Sequence, residues 1–414
     1  MSFKLSNTAR VLTNKNKVVL ANVANGNWLR ISKEVYDILN IAINNKMNLN
    51  NLNDSLSVEE DITFIDDLYK KLCSMSIVVE GDNQVLCNKT ISLEMTHRCN
   101  LKCIHCCIDA DGLIGNNKEL STEEVRCILH KMIDWNPKSI MLSGGEPMLR
   151  KDFIELLSYL RDNYNGEVIV STNGILINKE NVSVLSRCAD KIDISLDGID
   201  EETCAIVRGK GVFNKVIQSV KLLQKNGFTN ISLSMATADK NEHLEEAFKK
   251  LNDSLGTRPL IRIFSPVGRG KSNESIYSDK GMDQVYIPED YLSDNYHKSF
   301  GVCSCSAGKR ELFIAHDGTI YPCPSFIKPE CRLGNILEID ELYSITKDNN
   351  DKAQVCKAVE LLAPINKGKC KDCNVNLFCW TCPGSWDRDS KEAFEYYCDI
   401  MKPVLSKRVW GEEK

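Results

Sequence analysis

Six apolar segments in residues 90–264 alternate with amphipathic helical segments, and this alternation limits the possible fold more than any other feature. One helical segment begins at a capping box, Ser121-Thr122-Glu123-Glu124, after which apolar residues recur at helical spacing. Strands that alternate with helices form a parallel sheet, so we predict an α/β domain with its functional groups at the carboxyl ends of the strands. The predicted strands are residues 91–95, 140–142, 168–170, 192–194, 231–235 and 261–264.

The charge and the cysteine content narrow the class of protein. The chain has 52 Lys and Arg against 57 Asp and Glu, and a net charge of −5 does not attract nucleic acid or anionic lipid. Its first residues contain no apolar signal-peptide stretch, and no uncharged run of about 20 apolar residues follows. We therefore expect a cytoplasmic protein without a nucleic-acid or membrane partner. Because cytoplasmic thiols stay reduced, its 19 cysteines are better explained by metal ligation than by disulfides.

Residues 1–85 predict a small separate domain. Asn25-Gly26 lies between two short apolar segments and suits a hairpin turn, and Ser32 can cap the helix that follows. A hairpin followed by helices resembles a winged helix, but 9 Lys and Arg against 10 Asp and Glu in this segment lack the basic surface of a DNA-binding domain. We predict instead that an extended peptide binds along a strand edge. A purely structural domain is the alternative.

Cys99, Cys103 and Cys106 follow the first predicted strand with the spacing C-x3-C-x2-C. A 4Fe–4S cluster contains four irons, so three thiolates leave one iron open to a substrate or cofactor. The spacing therefore predicts a catalytic cluster. A zinc site is the alternative, although structural zinc usually takes a fourth ligand.

This spacing after a first strand resembles that of radical S-adenosylmethionine (SAM) enzymes, and the resemblance extends over residues 90–269. It implies a partial (β/α)6 barrel of the TIM type. Ser143-Gly144-Gly145-Glu146-Pro147 resembles the family segment that holds the methionyl amine of SAM. His105 departs from the family, in which Tyr or Phe usually precedes the third cysteine. The resemblance implies SAM-binding roles for Gly144, Gly145, Glu146, Pro147, Ser171, Asn173, Ser195, Asp197 and Arg208, with Arg269 near the SAM carboxylate or the barrel rim.

A second group of cysteines occupies residues 301–414. The spacings Gly318-x4-Cys323 and Cys370-x2-Cys373-x5-Cys379-x2-Cys382 resemble the SPASM extension of radical enzymes, which carries two auxiliary 4Fe–4S clusters. Relatives have three residues, not two, before the last of these cysteines. Two zinc knuckles are the alternative. The resemblance implies Cys303, Cys305, Cys323 and Cys382 as ligands of the first auxiliary cluster, and Cys370, Cys373, Cys379 and Cys398 as ligands of the second.

Together these parts resemble radical SAM maturases of ribosomally made peptides. The resemblance implies three 4Fe–4S clusters, a precursor peptide as partner, and a reduced flavodoxin or ferredoxin as electron donor. We expect a leader-binding domain at residues 1–85, a radical SAM barrel at 86–270, a linker at 271–300 and a SPASM domain at 301–414. The expected reaction uses a 5′-deoxyadenosyl radical to install an oxidative cross-link, with a Cys thioether as first choice. The alternatives are a sulfatase-type maturase that forms formylglycine and a zinc-binding winged-helix regulator.

Overall fold

The computed structural model describes residues 1–81, 89–110, 119–279, 301–302, 305–346, 368–379 and 391–411, with residues 287, 292 and 359. Its N-terminal domain contains β1 (Phe3–Leu5), β2 (Ala9–Asn14), β3 (Lys17–Asn22), β4 (Trp28–Ser32), α1 (Lys33–Asn44), α2 (Leu49–Asn53), α3 (Glu59–Ser74) and β5 (Val78–Glu80). β2, β3 and β4 form an antiparallel sheet with β3 in the middle, and β1 pairs with β5. The predicted hairpin is confirmed as β3 and β4. The Ser32 hydroxyl accepts a hydrogen bond from Val35 N and caps α1, also as predicted.

Six parallel strands form the centre of the molecule, as the alternating pattern predicts. They are β6 (Thr90–Glu94), β7 (Ser139–Ser143), β8 (Glu167–Thr172), β9 (Lys191–Ser195), β10 (Ile231–Thr237) and β11 (Arg258–Ile263), and each pairs with the next along the chain. The connecting helices are α4 (Thr122–Asp134), α5 (Phe153–Asn163), α6 (Val182–Cys188), α7 (Glu201–Arg208), α8 (Val212–Lys225) and α9 (Glu245–Leu255). The capping box predicted at Ser121 is present at the start of α4.

The two faces of this sheet differ in chemistry because side chains alternate along each strand. One face is apolar and packs against the helices, with Ile91, Leu93, Ile140, Leu142, Val168, Val170, Ile192, Ile194, Ile231 and Leu233 in one core. The opposite face carries buried polar side chains, namely Ser92, Glu94, Asp193, Ser232 and Ser234. Strand register places these polar residues beside one another, for example Asp193 beside Ser232. The polar face therefore suits a polar ligand at the carboxyl ends of the strands.

The C-terminal part extends the same sheet. It follows α10 (Arg269–Ser272) and α11 (Glu274–Tyr277), and contains β12 (Glu311–Ile314), β13 (Thr319–Tyr321), β14 (Gly334–Asn335), α12 (Tyr343–Thr346) and α13 (Lys391–Trp410). β12 pairs in parallel with β6, and β13 and β14 follow antiparallel. Short 3-10 turns occur at Pro147–Leu149, Glu242–Leu244, Pro324–Phe326, Pro329–Cys331, Ile336–Glu338 and Gly368–Cys370. None of the helices in the described segments is long and apolar enough to span a membrane.

The domain boundaries remain predictions, but two observations refine them. The sheet continues across the boundary predicted at residue 300, because β12 joins β6. The segment predicted as an irregular linker begins with structure, since α10 and α11 lie at its start and Tyr277 is buried. Helices of four residues are too short to give the apolar periodicity by which helices are predicted from sequence.

The N-terminal sheet lies against the end of α13. Val19 and Ala21 of β3 share an apolar core with Val409 and Trp410. Lys17 Nζ donates to the Trp410 carbonyl at 2.7 Å, and Arg30 Nη1 donates to the Val409 carbonyl at 2.8 Å. The last carbonyls of a helix have no partner within it and carry partial negative charge, so these two cations stabilise the end of α13.

Candidate radical SAM site

The loop after β6 brings Cys99, Cys103 and Cys106 together with N–H donors on all three sulfurs. The Cys103 side chain is buried, and the thiols are close enough for their charges to interact. Burial raises the pKa of Cys99 and Cys103, so a bound cation is what would keep them as thiolates. The donors are Leu101 N to Cys99 Sγ at 3.4 Å, Ala110 N to Cys106 Sγ at 3.3 Å and Arg208 Nη1 to Cys103 Sγ at 3.6 Å. Hydrogen bonds to sulfur stabilise anionic iron–sulfur clusters, so this loop fits the predicted group.

Arg269 braces this loop from the segment after β11. Its Nε donates to the Cys103 carbonyl at 3.0 Å and its Nη2 to the Ala110 carbonyl at 2.6 Å, while Nη1 pairs with Asp109 at 2.7 Å. Gly268 has φ +56°, and a Cβ there would lie 2.4 Å from the Cys106 carbonyl oxygen. The segment predicted to place an arginine near SAM or the rim thus holds the backbone of the cysteine loop.

Gly144 and Gly145 permit two backbone segments to approach closely. Gly145 N donates to the Thr96 carbonyl and Glu146 N to the Arg98 carbonyl, both at 2.8 Å. A Cβ on Gly145 would lie 2.3 Å from the Arg98 carbonyl oxygen. The resemblance assigns these glycines to SAM binding, and the structure shows that they also permit close approach to the chain that enters the cysteine loop. Their SAM-binding role, like that of the buried Pro147, remains a prediction.

Glu146 connects the ends of β7 and β8. Its fully buried carboxylate accepts hydrogen bonds from Thr172 Oγ1 at 2.8 and 3.0 Å, from Asn173 N at 2.8 Å and from Met148 N at 3.2 Å. Burial raises the pKa of Glu146 to about 6, although these hydrogen bonds act in the opposite direction. Both carboxylate oxygens of Glu146 accept hydrogen bonds from the protein, so Glu146 holds the loop after β8 in position.

Asn173 is directed at the cysteine loop. Its Nδ2 donates to Asn100 Oδ1 at 2.7 Å and lies 3.9 Å from Cys99 Sγ. Ser171 and Ser195 are half-buried at the carboxyl ends of β8 and β9. Asn173 is thus brought to the cysteine loop, and the two serines lie at the strand ends where the sequence places them.

Asp197 and Arg208 form a buried ion pair next to Cys103. Arg208 Nε and Nη2 lie 2.6 and 2.5 Å from Asp197 Oδ2, and His105 Nε2 lies 3.2 Å from the same oxygen. Asp197 has φ +54° and accepts from Ala236 N at 2.6 Å. Burial raises the pKa of Asp197, but the Arg208 charge, His105 and the hydrogen bond from Ala236 N together outweigh burial and hold this pKa well below its usual range. The pair fixes Arg208 beside the cysteine sulfur.

A stack of aromatic rings extends from His105. Its ring lies over Tyr277 with a centroid distance of 6.0 Å, and Tyr277 stacks on Phe264 at 4.2 Å with an interplanar angle of 3°. Tyr277 is 2% exposed. The flat ring expected before the third cysteine is therefore packed on an aromatic neighbour. Tyr277 was missed from the sequence because it lies in the segment predicted to be irregular.

A second cluster of polar side chains, to which the sequence assigns no role, lies at the end of β6. Glu94 Oε1 is 2.7 Å from His97 Nδ1, and Glu94 Oε2 is 3.1 Å from His316 Nδ1. Burial raises the pKa of Glu94, but the hydrogen bonds to the two histidines prevail and lower it to about 2. His316 lies 222 residues from Glu94 in sequence, so no local pattern could have joined them.

The C-terminal cysteines fall into two groups in the described residues. Cys305, Cys323 and Cys331 share a small apolar core with Phe326. Cys331, which is not among the predicted ligands, therefore lies with two that are. Cys303 and Cys382 lie outside the described residues.

The second group lies near Asn376 and α13. Asn376 Nδ2 donates to the Cys370 carbonyl at 3.0 Å. Cys373 and Cys379 pack against the core that contains Tyr397 of α13, the neighbour of Cys398. Trp410 Nε1 donates to the Asn374 carbonyl at 3.1 Å. Helix α13 therefore contacts this loop both through the core around Tyr397 and through Trp410. The four ligands of the second auxiliary cluster remain a prediction.

Comparison with known families decides what this architecture is. Residues 93–251 match the Radical SAM superfamily, and residues 303–374 match SPASM, an iron–sulfur cluster-binding domain. The chain therefore contains a Radical SAM domain followed by a SPASM domain. This radical SAM protein is accordingly an enzyme that uses SAM and 4Fe–4S clusters, and the predicted α/β fold with a C-terminal SPASM domain is confirmed.

Several known proteins resemble this radical SAM enzyme. Mycofactocin maturase MftC of Mycolicibacterium smegmatis is 29% identical over 307 residues, which are 68% of this chain and 74% of that protein. The antilisterial bacteriocin subtilosin biosynthesis protein AlbA of Bacillus subtilis is 28% identical over 276 residues, 63% of this chain and 60% of that protein.

Two solved structures share the fold. Streptococcus suis SuiB bound to S-adenosylmethionine matches with a TM-score of 0.53 and 16% identity, covering 94% of this chain and all (100%) of that one. Native anSMEcpe with bound AdoMet matches with a TM-score of 0.56 and 18% identity, covering 78% of this chain and 100% of that one. At these identities the likeness concerns the fold alone.

Proposed function

We propose that this radical SAM enzyme is a peptide maturase that binds the leader of a ribosomally made precursor and installs an oxidative cross-link in the rest of the peptide. The observation that carries this proposal is the sequence similarity to MftC and AlbA, which their names assign to mycofactocin maturation and subtilosin biosynthesis. The similarity extends over 68% and 63% of this chain. The reduced thiols that cluster ligands require favour the cytoplasm as its location.

The cofactor-binding roles are also part of the proposal. Cys99, Cys103 and Cys106 hold the catalytic cluster, and the carboxyl ends of β7, β8 and β9 hold SAM beside it. When SAM is bound and a flavodoxin or ferredoxin reduces the cluster, SAM and the cluster together supply a 5′-deoxyadenosyl radical. The protein contributes orientation and exclusion of water. Asp197 positions Arg208, Glu146 positions the loop of Asn173, and the polar face of the sheet receives the peptide.

We propose a Cys thioether as the bond formed. A substrate C–H bond and a thiol S–H bond break and one C–S bond forms: the hydrogen atom goes to the 5′-deoxyadenosyl radical, the thiol proton to solvent and one electron to an acceptor. An auxiliary iron–sulfur cluster held by the C-terminal cysteines is the acceptor of this electron. The peptide is oxidised by two electrons overall and loses two hydrogens.

The leader-binding part of the proposal rests on the edges of the N-terminal sheet. In an antiparallel sheet, backbone groups point alternately toward and away from the neighbouring strand. Lys33 N donates to the Asn16 carbonyl, and Val23 N donates to the Thr8 carbonyl. Together with the strand register, these two bonds show which residues of β2 and β4 direct their backbone groups toward β3 and which direct them outward. Among the described residues no strand pairs with the outer edge of β2 or β4. The residues whose backbone groups point outward are 9, 11 and 13 in β2 and 28, 30 and 32 in β4.

The reaction is tested with anaerobically reconstituted enzyme, dithionite, SAM and synthetic peptides encoded by short cysteine-containing reading frames beside the gene. We expect a mass loss of two hydrogens per modification and one 5′-deoxyadenosine per cross-link. Alkylation of free thiols before mass analysis distinguishes a thioether, which consumes a thiol, from a carbon–carbon bond, which does not. Formation of 5′-deoxyadenosine without this mass change would reject cross-linking. Conversion of Cys or Ser to an aldehyde would indicate formylglycine formation instead.

The leader site is tested by removing one outward N–H at a time. Thr13→Pro and Arg30→Pro each delete such a donor without affecting the hydrogen bonds to β3, and Thr13→Ala and Arg30→Ala are matched controls that retain it. We expect one of the two proline variants to weaken binding of a fluorescent precursor at least tenfold, with its alanine control close to wild type. Unchanged binding in both proline variants would exclude strand addition at this sheet.

A further inference from the structure

Glu94, His97 and His316 converge from three segments: the end of β6, the start of the cysteine loop and the turn after β12. One ligand atom from each lies within 4.8 Å of the others. The Glu94 side chain is 4% exposed, against 38% for His97 and 21% for His316. The three donor atoms therefore lie close together, with the carboxylate buried and the two imidazoles accessible from solvent.

Two imidazoles and one carboxylate are a donor set that binds zinc or ferrous iron. Ligand bonds of about 2.0–2.2 Å in tetrahedral geometry place neighbouring donor atoms about 3.3 Å apart. The Glu94 oxygens lie 2.7 Å from His97 Nδ1 and 3.1 Å from His316 Nδ1, so small movements of the two partly exposed rings would admit an ion. The two rings are 4.7 Å apart between centroids and tilted by 34°, which lets both nitrogens face one carboxylate.

We propose that Glu94, His97 and His316 form a mononuclear site for a divalent cation of the zinc type, with its fourth position open to water or an anionic group. This site uses no cysteine and is separate from the three cysteine ligand sets. It connects β6 to the SPASM part through β12, because His316 follows β12 by two residues. The ion would hold together the two elements whose parallel pairing joins the barrel to the tail.

Zinc occupancy and coordination test the proposal in full-length, cluster-loaded enzyme. After equilibration with one equivalent of Zn²⁺ and gel filtration, we expect about one zinc per chain by elemental analysis. Zinc X-ray absorption should show only nitrogen and oxygen neighbours near 2.0 Å, whereas zinc in a cysteine site has sulfur near 2.3 Å. His316→Ala should lower zinc occupancy at least tenfold with iron and sulfide unchanged, and His130→Ala, at an exposed position on α4, should retain it.

Several results would overturn the proposal: no retained zinc, a sulfur-containing shell, or undiminished zinc in His316→Ala. Loss of thermal stability in that variant without zinc in the wild type would identify a hydrogen-bonded contact instead. If His316→Ala does not fold, Glu94→Gln keeps the side-chain volume, and retained zinc with an unaltered absorption edge in Glu94→Gln would be equally decisive against the site. Because zinc is measured without SAM or peptide, the outcome does not depend on the proposed maturase activity.

Discussion

Replacing Gly145 with alanine should displace the cysteine loop. The new Cβ would lie 2.3 Å from the Arg98 carbonyl oxygen, 2.7 Å from the Arg98 carbonyl carbon and 2.9 Å from the His97 carbonyl oxygen. All three atoms belong to backbone, so no side-chain rotation relieves the contact. Separating the segments by about 1 Å would weaken the two 2.8 Å hydrogen bonds from Gly145 N and Glu146 N. Two such bonds at about 1 kcal/mol each and overpacking at about 1–3 kcal/mol give about 3–5 kcal/mol.

The displaced loop carries the cluster ligands, and a shift of about 1 Å can cost about 100-fold in rate. We therefore expect Gly145→Ala to lower 5′-deoxyadenosine formation about 100-fold, measured anaerobically with dithionite and SAM. Gly227→Ala is the matched control, because Gly227 has φ +84° and nothing within 4 Å of an added Cβ. The control should cost about 1–2 kcal/mol of stability, because its φ is positive, and should leave SAM cleavage intact. Wild-type cleavage by Gly145→Ala would refute the steric argument.

Three further predictions concern the same site. Arg269→Ala removes the brace on the Cys103 and Ala110 carbonyls, so it should lose up to about four irons per chain by elemental analysis, whereas Arg258→Ala should lose none. Asp197→Asn leaves Arg208 buried without a counter-ion and should lower stability to urea by about 3–5 kcal/mol, with partial recovery in Asp197→Asn/Arg208→Met. Burial raises the pKa of Glu146 from 4.5 to about 6, so its favourable contribution is present at low pH and is lost as pH rises through 6. Relative to Glu146→Gln, the wild type should therefore gain about 1 kcal/mol in anaerobic urea unfolding between pH 7 and pH 5, and a constant difference would contradict the raised pKa.

Local patterns were sufficient to predict the parallel sheet and the loop that follows its first strand. The β6–β11 strands are apolar on the helix-facing side, and that signal is contained within each segment. The capping box at Ser121 and the cap at Ser32 depend on residues three positions apart, so both could be predicted. The C-x3-C-x2-C spacing likewise fits within one loop.

Contacts between distant segments could not be predicted in the same way. The pairing of β12 with β6 joins residues more than 200 positions apart, and nothing in the sequence of either strand specifies the other. The same separation concealed the contact between Glu94 and His316. Gly145 shows a different difficulty. The Gly144-Gly145 pair stands out in the sequence, but the backbone atoms that leave no room for a Cβ belong to another loop. The polar face was detectable as Ser232 and Ser234 alternating with apolar residues in β10, and it was missed because each strand was interpreted as a uniform apolar run.

Strand β3 is buried on both of its faces. Val18 and Leu20 are buried against the helices of the N-terminal domain, while Val19 and Ala21 are buried against the C-terminal helix. An independent domain of this shape would keep one side of its middle strand wet, and hence polar at every second position. Excised from the chain, this domain would expose Val19 and Ala21 to water, so we expect it to be less soluble alone than as part of the full-length enzyme.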